Sequence, residues 1–300
     1  MNEVKAQLPR LDRSEILAKV QNCPRLPSLR SIDTALRDLL NADQRYTLQI
    51  SEVIRRDPSL TARLLRLVNS VYYSLTTPVN SIEEAVFYLG VRQIRQLAMV
   101  TPVIEDFQKL ASRTPFPWRS FWQHCIATAI LTREITNSVV QVNDDCDYIA
   151  GLVHDVGKIV MASAFPEHFR EIYSSTPPHQ DLLELERTLL GMDHAELGGA
   201  YLESHNLPRV MIYSARYHHE PAAATEQSSI VAAVHIADLL ARKAKIGNSG
   251  NPAEVDEQDW KSSPAWDLIF KNHSEVEMAI TRGNFQRTVE MLPSILDGIV

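Results

Sequence analysis

The chain has 300 residues, of which 45% are hydrophobic and 22% are charged, the balance of an ordinary globular protein with one large or two small domains. Its net charge of −7 argues against a non-specific nucleic-acid binder, and its apolar runs are far shorter than the about 20 residues that span a bilayer. Three widely spaced cysteines and a charged N-terminus without a signal-peptide pattern predict a protein of the reducing cytoplasm, away from membranes.

Helical patterns fill the first third of the chain. The spacing of apolar residues predicts helices over residues 14–20 and 29–40. Residues 57–68 begin with Asp-Pro, a good N-cap and first helical position, and residues 81–90 begin with a capping box and end at a glycine. Another amphipathic helix covers residues 91–107, with a kink or break expected at its proline. With few alternating apolar runs, the predicted class is all-α.

A Thr-Pro-Phe-Pro segment at residues 114–117 interrupts this pattern and predicts a boundary. Further helices are predicted over residues 121–138, 147–163, 182–190, 194–205, 209–217 and 229–245. Turn residues over 247–254 predict a loop, and Ser274 with Glu277 predicts a capping box for a last helix. The expected units are an N-terminal helical unit (14–112), a helical bundle (113–246) and a C-terminal helical extension (247–300).

Several histidines and aspartates lie on apolar surfaces of the predicted helices. His154-Asp155 has apolar residues on both sides, and Asp238 shares a helical stripe with valines and an alanine. A buried carboxylate costs several kcal/mol unless it is paired or bound to a cation. His124 and His194 also lie on apolar faces.

These side chains and the pair His218-His219 form a candidate metal site. Neutral imidazoles and carboxylates are ligands for Zn²⁺, Fe²⁺ or Mn²⁺. A single histidine on an apolar face is more often a hydrogen-bonded core residue, but the ordered set is more specific. Adjacent ligands suit the end of a helix or two neighbouring ions. The predicted ligands are His124, His154, Asp155, His194, His218, His219 and Asp238.

The order of these residues resembles the HD superfamily of metal-dependent phosphohydrolases. Over residues 26–241 the chain more closely resembles the HDOD family of bacterial signalling proteins. The motifs that carry this resemblance are Leu26-Pro27-Ser28-Leu29, Asp57-Pro58-Ser59-Leu60-Thr61-Ala62-Arg63-Leu64-Leu65-Arg66-Leu67-Val68-Asn69-Ser70, Phe121-Trp122-Gln123-His124, Gly151-Leu152-Val153-His154-Asp155-Val156-Gly157-Lys158, Asp193-His194-Ala195-Glu196-Leu197-Gly198 and Tyr217-His218-His219-Glu220-Pro221.

The resemblance implies an all-α fold in which an N-terminal multi-helix unit packs on an HD-like bundle. It also implies a regulatory role in bacterial signal transduction and one or two divalent ions. If the chain holds two ions as the related cyclic-di-GMP phosphodiesterases do, Asp155 would bridge them. The implied ligands of one ion are His124, His154 and Asp238, and those of the other are His194, His218 and His219.

Two departures argue against cyclic-di-GMP hydrolysis. Residues 221–225 read Pro-Ala-Ala-Ala-Thr, where that family has a Gly-rich segment ending in Gly-Tyr-Pro. Ser120 stands where the family often has a glutamate ligand.

Three functions stay open, and the sequence does not decide whether the chain is an enzyme. The first is a regulatory module that binds signalling proteins through its N-terminal helices, chiefly residues 57–73. The second is a phosphohydrolase acting on a nucleotide or cyclic dinucleotide. Its candidate catalytic residues are Asp155 and Lys158, the latter neutralising a phosphate oxygen, although Lys158 also fits a surface helix position. The third is a metal or redox sensor, suggested by Cys125 beside His124.

Overall fold

The structure is a computed structural model that describes residues 8–23, 65, 78–81, 84–85, 114–139, 146–175 and 180–299. The helices predicted over 29–40, 57–68 and 91–107 lie outside these ranges, apart from residue 65. At the predicted capping box, the Ser81 hydroxyl accepts a hydrogen bond of 3.1 Å from the Glu84 backbone N–H. This is the contact expected of an N-cap serine.

The described residues form helices and contain no strand, which confirms the all-α class. In chain order the α-helices are α1 (Arg13–Gln21), α2 (Trp118–Val139), α3 (Cys146–Val153), α4 (Val156–Ala164), α5 (Pro166–Ser175), α6 (Leu182–Leu189), α7 (His194–Ser204), α8 (Arg209–Tyr217), α9 (Ser228–Lys243), α10 (Glu257–Lys261), α11 (Pro264–Phe270) and α12 (Glu275–Ile299). A short 3₁₀ turn, Pro221–Ala223, lies between α8 and α9.

The structure differs from the sequence prediction at the single helix expected over residues 147–163. This segment is two helices, α3 and α4, separated by His154 and Asp155. The apolar pattern runs through both helices without interruption, so periodicity does not reveal the break. Helices α5, α10 and α11 were also not predicted. Pro166 explains one of these starts, because the residue before a proline avoids helical geometry, and Phe165 has φ −135° and ψ 55°.

Helix α2 lies at the centre of the described bundle. It packs against α3, α9 and α12, while α7 packs against α4 and α8. Most of the side chains of α2 are buried around its whole circumference, as expected of a core helix. The Arg133 guanidinium on α2 donates through Nε to both carboxylate oxygens of the buried Asp147 on α3, each at 2.8 Å. This ion pair fixes α3 against α2.

Close approach of α4 to α7 depends on Gly157. A Cβ added at this position would lie 1.7 Å from the His194 backbone oxygen and 2.7 Å from the Gly198 backbone nitrogen. Any side chain larger than hydrogen would therefore separate the two helices. The contact brings the start of α4, where Asp155 lies, beside the start of α7, where His194 lies.

An aromatic cluster fills the space between the start of α2 and α5. Phe116 contacts Trp118, Phe121, Phe169 and Tyr173 edge-on, with ring centroids 4.7 to 5.7 Å apart. The Phe169 and Tyr173 rings stack with centroids 4.4 Å apart. Such pairs stabilise by about 0.5–1.5 kcal/mol beyond the area that they bury. The cluster holds Tyr173 in one position.

The C-terminal residues return to the bundle. The predicted loop over 247–254 is not helical, and the Asn248 N–H donates to the Ser120 carbonyl of α2 at 2.9 Å. The predicted capping box is present, since the Glu277 N–H donates to the Ser274 hydroxyl at 3.3 Å. Among the described residues, no single helix is long and apolar enough to cross a bilayer. One pair bent by 118°, Cys146–Ala164 with Pro166–Ser174, meets that criterion by length and composition only.

Candidate metal centre

The seven predicted ligands come together in the bundle, six of them buried and His219 half-buried. His124 lies within α2 and Asp238 within α9, while His154 and Asp155 form the break between α3 and α4. His194 is the first residue of α7, and His218 and His219 follow the last residue of α8. The ligands that are adjacent in sequence therefore lie at helix ends, where successive side chains can turn towards one point.

The first group of ligand atoms lies between α2, α9 and the α3–α4 break. The distance from His124 Nε2 to Asp238 Oδ1 is 3.0 Å. His154 Nε2 lies 3.4 Å from Asp155 Oδ2 and 4.0 Å from Asp238 Oδ1. Asp155 and Asp238 thus contact the same imidazole.

The second group lies on the other side of Asp155. Its Oδ1 atom is 3.2 Å from His194 Nε2 and 3.6 Å from His218 Nε2. His194 Nε2 is also 3.0 Å from His219 Nε2. Two nitrogen or oxygen ligands of one cation, each bonded at about 2.1 Å, lie about 3.0–3.4 Å apart. Both groups are close to this spacing, and they share Asp155.

Several of these atoms are buried without a hydrogen-bond partner among the described residues. They are His124 Nε2, His154 Nε2, Asp155 Oδ1 and His218 Nε2. A buried polar atom without a partner costs about 1–3 kcal/mol, so four at one place need an explanation. Cations held by the two groups would satisfy all four, with His124 and His154 in the first group and Asp155 and His218 in the second. The donor set, imidazole and carboxylate, fits a borderline divalent ion.

The orientation of three histidines supports the same explanation. His154 Nδ1 lies 2.7 Å from the Gly151 carbonyl oxygen, and His218 Nδ1 lies 2.9 Å from the Ala215 carbonyl oxygen. His194 Nδ1 lies 2.7 Å from a carboxylate oxygen of Glu186. Each oxygen only accepts, so each Nδ1 carries the proton. In the neutral ring Nε2 then presents its lone pair to the cluster, as in metal-bound histidines.

Burial and neighbouring charges set the ionisation of the cluster. Burial lowers the pKa of His124 and lowers that of His218 to about 4, so both rings are neutral near pH 7. Burial also opposes a charge on His194, but the Glu186 carboxylate beside it raises the pKa of His194 to about 9. Burial disfavours an ionised Asp155, yet Lys158 and His154 hold its pKa well below the usual range.

Lys158 is an interior residue, contrary to the interpretation of a surface helix lysine. Only 1% of it is exposed, and its Nζ donates to Asp155 Oδ2 at 2.7 Å. The same ammonium group donates to the Ser249 carbonyl oxygen at 2.9 Å. Lys158 therefore balances the charge of Asp155 and ties the loop over residues 247–254 to the centre.

Sequence reasoning missed Glu186, which contacts the ring of His194. A signal was available, since Glu186 lies four residues after Leu182 and four before Leu190 on an apolar helical stripe. The same argument had identified Asp238. His235 is not among the predicted ligands, and its Nδ1 donates to the His218 carbonyl oxygen at 2.7 Å, which supports the backbone at His218.

Two clefts border residues of the cluster. One of about 690 Å³ borders His219, and its lining includes arginines and carboxylates in equal number. They are Arg10, Arg13, Arg187, Arg216, Asp193, Glu196, Glu203 and Glu220. The other, of about 580 Å³, borders His124. Arg242, Lys243 and Lys245 line it with Glu254, so its described charged residues are mainly basic.

The chain is thus an all-α bundle with a mostly buried cluster of histidines and aspartates, most of them at helix ends. Residues 26–221 match the HDOD domain family, and the chain belongs to that family. The match ends before Asp238. An uncharacterized protein of Treponema pallidum (strain Nichols) is 28% identical over an alignment of 252 residues that covers 80% of this chain. The chain spans 46% of the length of that curated relative.

Solved structures share this fold. An HDOD domain protein of unknown function from Geobacter sulfurreducens has a TM-score of 0.76 and 23% identity, with 95% of this chain and 99% of that chain covered. A candidate phosphohydrolase from Shewanella amazonensis SB2B has a TM-score of 0.69 and 22% identity, with 95% and 98% covered. A candidate signal transduction protein from Marinobacter aquaeolei VT8 has a TM-score of 0.65 and 21% identity, with 97% and 61% covered.

Proposed function

We propose that this chain is a cytoplasmic regulatory module of bacterial signal transduction that holds a divalent cation and acts through protein partners. In this proposal residues 14–112 form the partner-binding unit, residues 113–246 the cation-binding bundle and residues 247–300 a helical extension. One or two ions of iron, manganese or zinc would be held. The ligands are His124, His154, Asp155, His194, His218, His219 and Asp238.

The observation that carries the proposal is the burial of the cluster. His124, His154, His194 and His218 are 0% exposed, and Asp155 is 1% exposed. Structural metal sites are closed by protein ligands, whereas catalytic sites keep a position open for water or substrate. Lys158 further occupies one oxygen of the shared carboxylate. A charge-balanced centre whose side chains are mostly buried favours a cation that shapes the protein over one that turns over a substrate.

Elemental analysis of the purified full chain by mass spectrometry tests the cation. We expect at least one equivalent of iron, manganese or zinc, and loss of that metal in Asp155→Ala. The matched control is His205→Gln, because this ring contacts the Tyr201 carbonyl oxygen, outside the cluster. His205→Gln should keep its metal. A wild-type chain without metal, even after incubation with each ion, would refute the proposed centre.

The partner is expected to contact residues 57–73, in the segment that best matches the family outside the ligand set. Residues 51–100 carry a small basic excess that includes Arg63 and Arg66. A pull-down from bacterial lysate with wild type and with Arg63→Glu/Arg66→Glu tests this part. We expect a partner that binds the wild type and not the variant. The two proteins should have the same metal content. Identical partner sets for the two proteins would contradict this role of the segment.

The second candidate is a metal-dependent phosphohydrolase acting on a nucleotide or cyclic dinucleotide, and the basic cleft beside His124 favours it. Arg242 lies 3.8 Å from Asp238 Oδ2, and Lys243 and Lys245 line the same cleft. These charges would bind a phosphate group at the edge of the cluster. A bound divalent cation would act as a Lewis acid towards a phosphoryl oxygen. Asp155 would hold the cation, and Lys158 would keep that carboxylate ionised.

Turnover distinguishes the two candidates. Metal-loaded protein is incubated with nucleotides and cyclic dinucleotides, and the products are separated by chromatography. The regulatory module predicts no hydrolysis above that of Asp155→Ala at full metal occupancy. Hydrolysis that disappears in Asp155→Ala and weakens in Arg242→Ala would establish the enzyme instead.

A further inference from the structure

His194 differs from the other oriented histidines in its place on its helix. His154 and His218 follow the last residues of α3 and α8, where backbone carbonyls lack helical partners and can accept from Nδ1. His194 begins α7, where the free backbone groups are N–H donors. A helix N-terminus offers no carbonyl to orient this ring, so the acceptor must come from elsewhere.

Glu186 on α6 supplies that acceptor. One of its oxygens, Oε2, accepts from the His194 backbone N–H at 2.8 Å and lies 2.7 Å from His194 Nδ1. The other, Oε1, accepts from the Tyr173 hydroxyl at 2.5 Å. Glu186 is 0% exposed, and none of these contacts uses solvent. The carboxylate is therefore held at both oxygens.

We infer that Glu186 is a positioning residue of the metal centre, which keeps the proton of His194 on Nδ1 and turns Nε2 towards Asp155 and His219. This inference rests on the proposed cation. The carboxylate accepts and does not donate, so it selects one tautomer of the neutral ring. It also makes the ring a stronger donor to a metal. His194 Nε2 then lies within 3.2 Å of both neighbouring ligand atoms.

Tyr173 extends this arrangement to the aromatic cluster. The Tyr173 ring stacks on Phe169 and meets Phe116 edge-on, which fixes the direction of its hydroxyl. Because this hydroxyl holds Oε1 of Glu186, the other oxygen, Oε2, faces His194. A chain of fixed contacts thus runs from the core of the bundle to the ligand. Tyr173 acts on the metal only through Glu186.

The test compares Glu186→Ala, Glu186→Gln and Tyr173→Phe with wild type for Co²⁺ affinity, measured by absorption with a competing chelator. Loss of such a supporting group costs about 10–100-fold in metal affinity. We expect a loss of that size in Glu186→Ala. Glu186→Gln keeps an accepting oxygen and should recover part of the affinity, and Tyr173→Phe should lose less than Glu186→Ala.

The control is Asp193→Asn, which changes a carboxylate of the adjacent residue. Asp193 accepts from the Glu196 N–H as the N-cap of α7 and pairs with Arg187, so it does not orient the ring. Asparagine keeps the capping oxygen. Its Co²⁺ affinity should stay within about twofold of wild type, as expected of a substitution that leaves the ligands in place.

A second measurement reads the tautomer directly in the metal-free protein, at a pH above the pKa of about 9 of His194, where the ring is neutral. Long-range ¹H–¹⁵N NMR should show a protonated Nδ1 for His194 in wild type and a mixture of tautomers in Glu186→Ala. Equal Co²⁺ affinity in wild type and Glu186→Ala, or an unchanged tautomer, would overturn the inference and leave Glu186 a structural cap. If wild type binds no Co²⁺, the proposed function fails, and the tautomer still decides the role of Glu186.

Discussion

Replacement of Gly157 by alanine should disturb the fold and the proposed metal centre together, through a single added methyl group. The added Cβ would lie 1.7 Å from the His194 oxygen, and real Cβ contacts essentially never fall under 3.0 Å. Helices α4 and α7 must therefore move apart by roughly 1.3 Å, far more than the about 0.2 Å that metal–ligand distances tolerate. The three atoms nearest to this Cβ all belong to the backbone of His194 and Gly198, so no rotamer change relieves the contact.

We expect Gly157→Ala to lose about 1–3 kcal/mol of unfolding free energy, the usual cost of overpacking. Its Co²⁺ affinity should fall by at least about 100-fold, because moving the helices apart lengthens the distance between Asp155 Oδ1 and His194 Nε2. Urea denaturation gives the first quantity and chelator competition gives the second. The two effects arise from one displacement and should appear together.

Gly283→Ala is the matched control, since no atom lies within 4 Å of the Cβ that it adds to α12. Alanine in an open helical position should raise the unfolding free energy by about 0.5–1 kcal/mol and leave Co²⁺ affinity unchanged. Wild-type affinity and stability in Gly157→Ala would show that α4 and α7 do not meet as described. The packing argument for the centre would then be wrong.

Three further predictions concern charge and metal. In metal-free protein, Lys158→Met should lower the free energy of unfolding by about 3–5 kcal/mol, because Asp155 stays buried without its partner. The double variant Lys158→Met/Asp155→Asn should recover most of this loss. If urea denaturation shows that the two substitutions have additive costs, the pairing is wrong. Arg133→Met should lower the free energy of unfolding by about 3–5 kcal/mol as well. Its Co²⁺ affinity should stay unchanged, since Asp147 lies outside the cluster. A loss of both stability and Co²⁺ affinity would contradict this prediction. Removing metal with a chelator should lower the melting temperature, because a cation at 100 times its Kd stabilises by about 2.7 kcal/mol; an unchanged scan would count against the centre.

Apolar flanks in the sequence were enough to identify most residues of the buried cluster. Asp155 and Asp238 stood out because each lies among apolar residues, and a buried carboxylate needs a partner. The positions of helices α2, α7 and α8 could be predicted from apolar periodicity and turn residues. Both signals depend only on residues a few positions apart in the sequence. These are local properties, and a single sequence contains them in full.

The rest depends on contacts between distant segments. The break between α3 and α4 lies within an uninterrupted apolar run, so nothing local separates the two helices. Glu186 could be placed on an apolar stripe, yet its partners Tyr173 and His194 belong to other helices. Lys158 shows the same limit: spacing puts it one turn from Asp155, and only the packing of α4 under the loop over residues 247–254 buries it.

The place of each proposed ligand on its helix decides which group can orient its ring. His154 and His218 take their orienting oxygens from unpaired carbonyls at helix C-termini, and His194 takes its own from a side chain because a helix N-terminus has none. His124 lies within α2, where the carbonyls are used by the helix, and its Nδ1 has no hydrogen-bond partner among the described residues. Its Nε2 is positioned by packing and by Asp238 at 3.0 Å. Of these four rings, His124 is therefore the one whose Nδ1 lacks an orienting oxygen among the described residues.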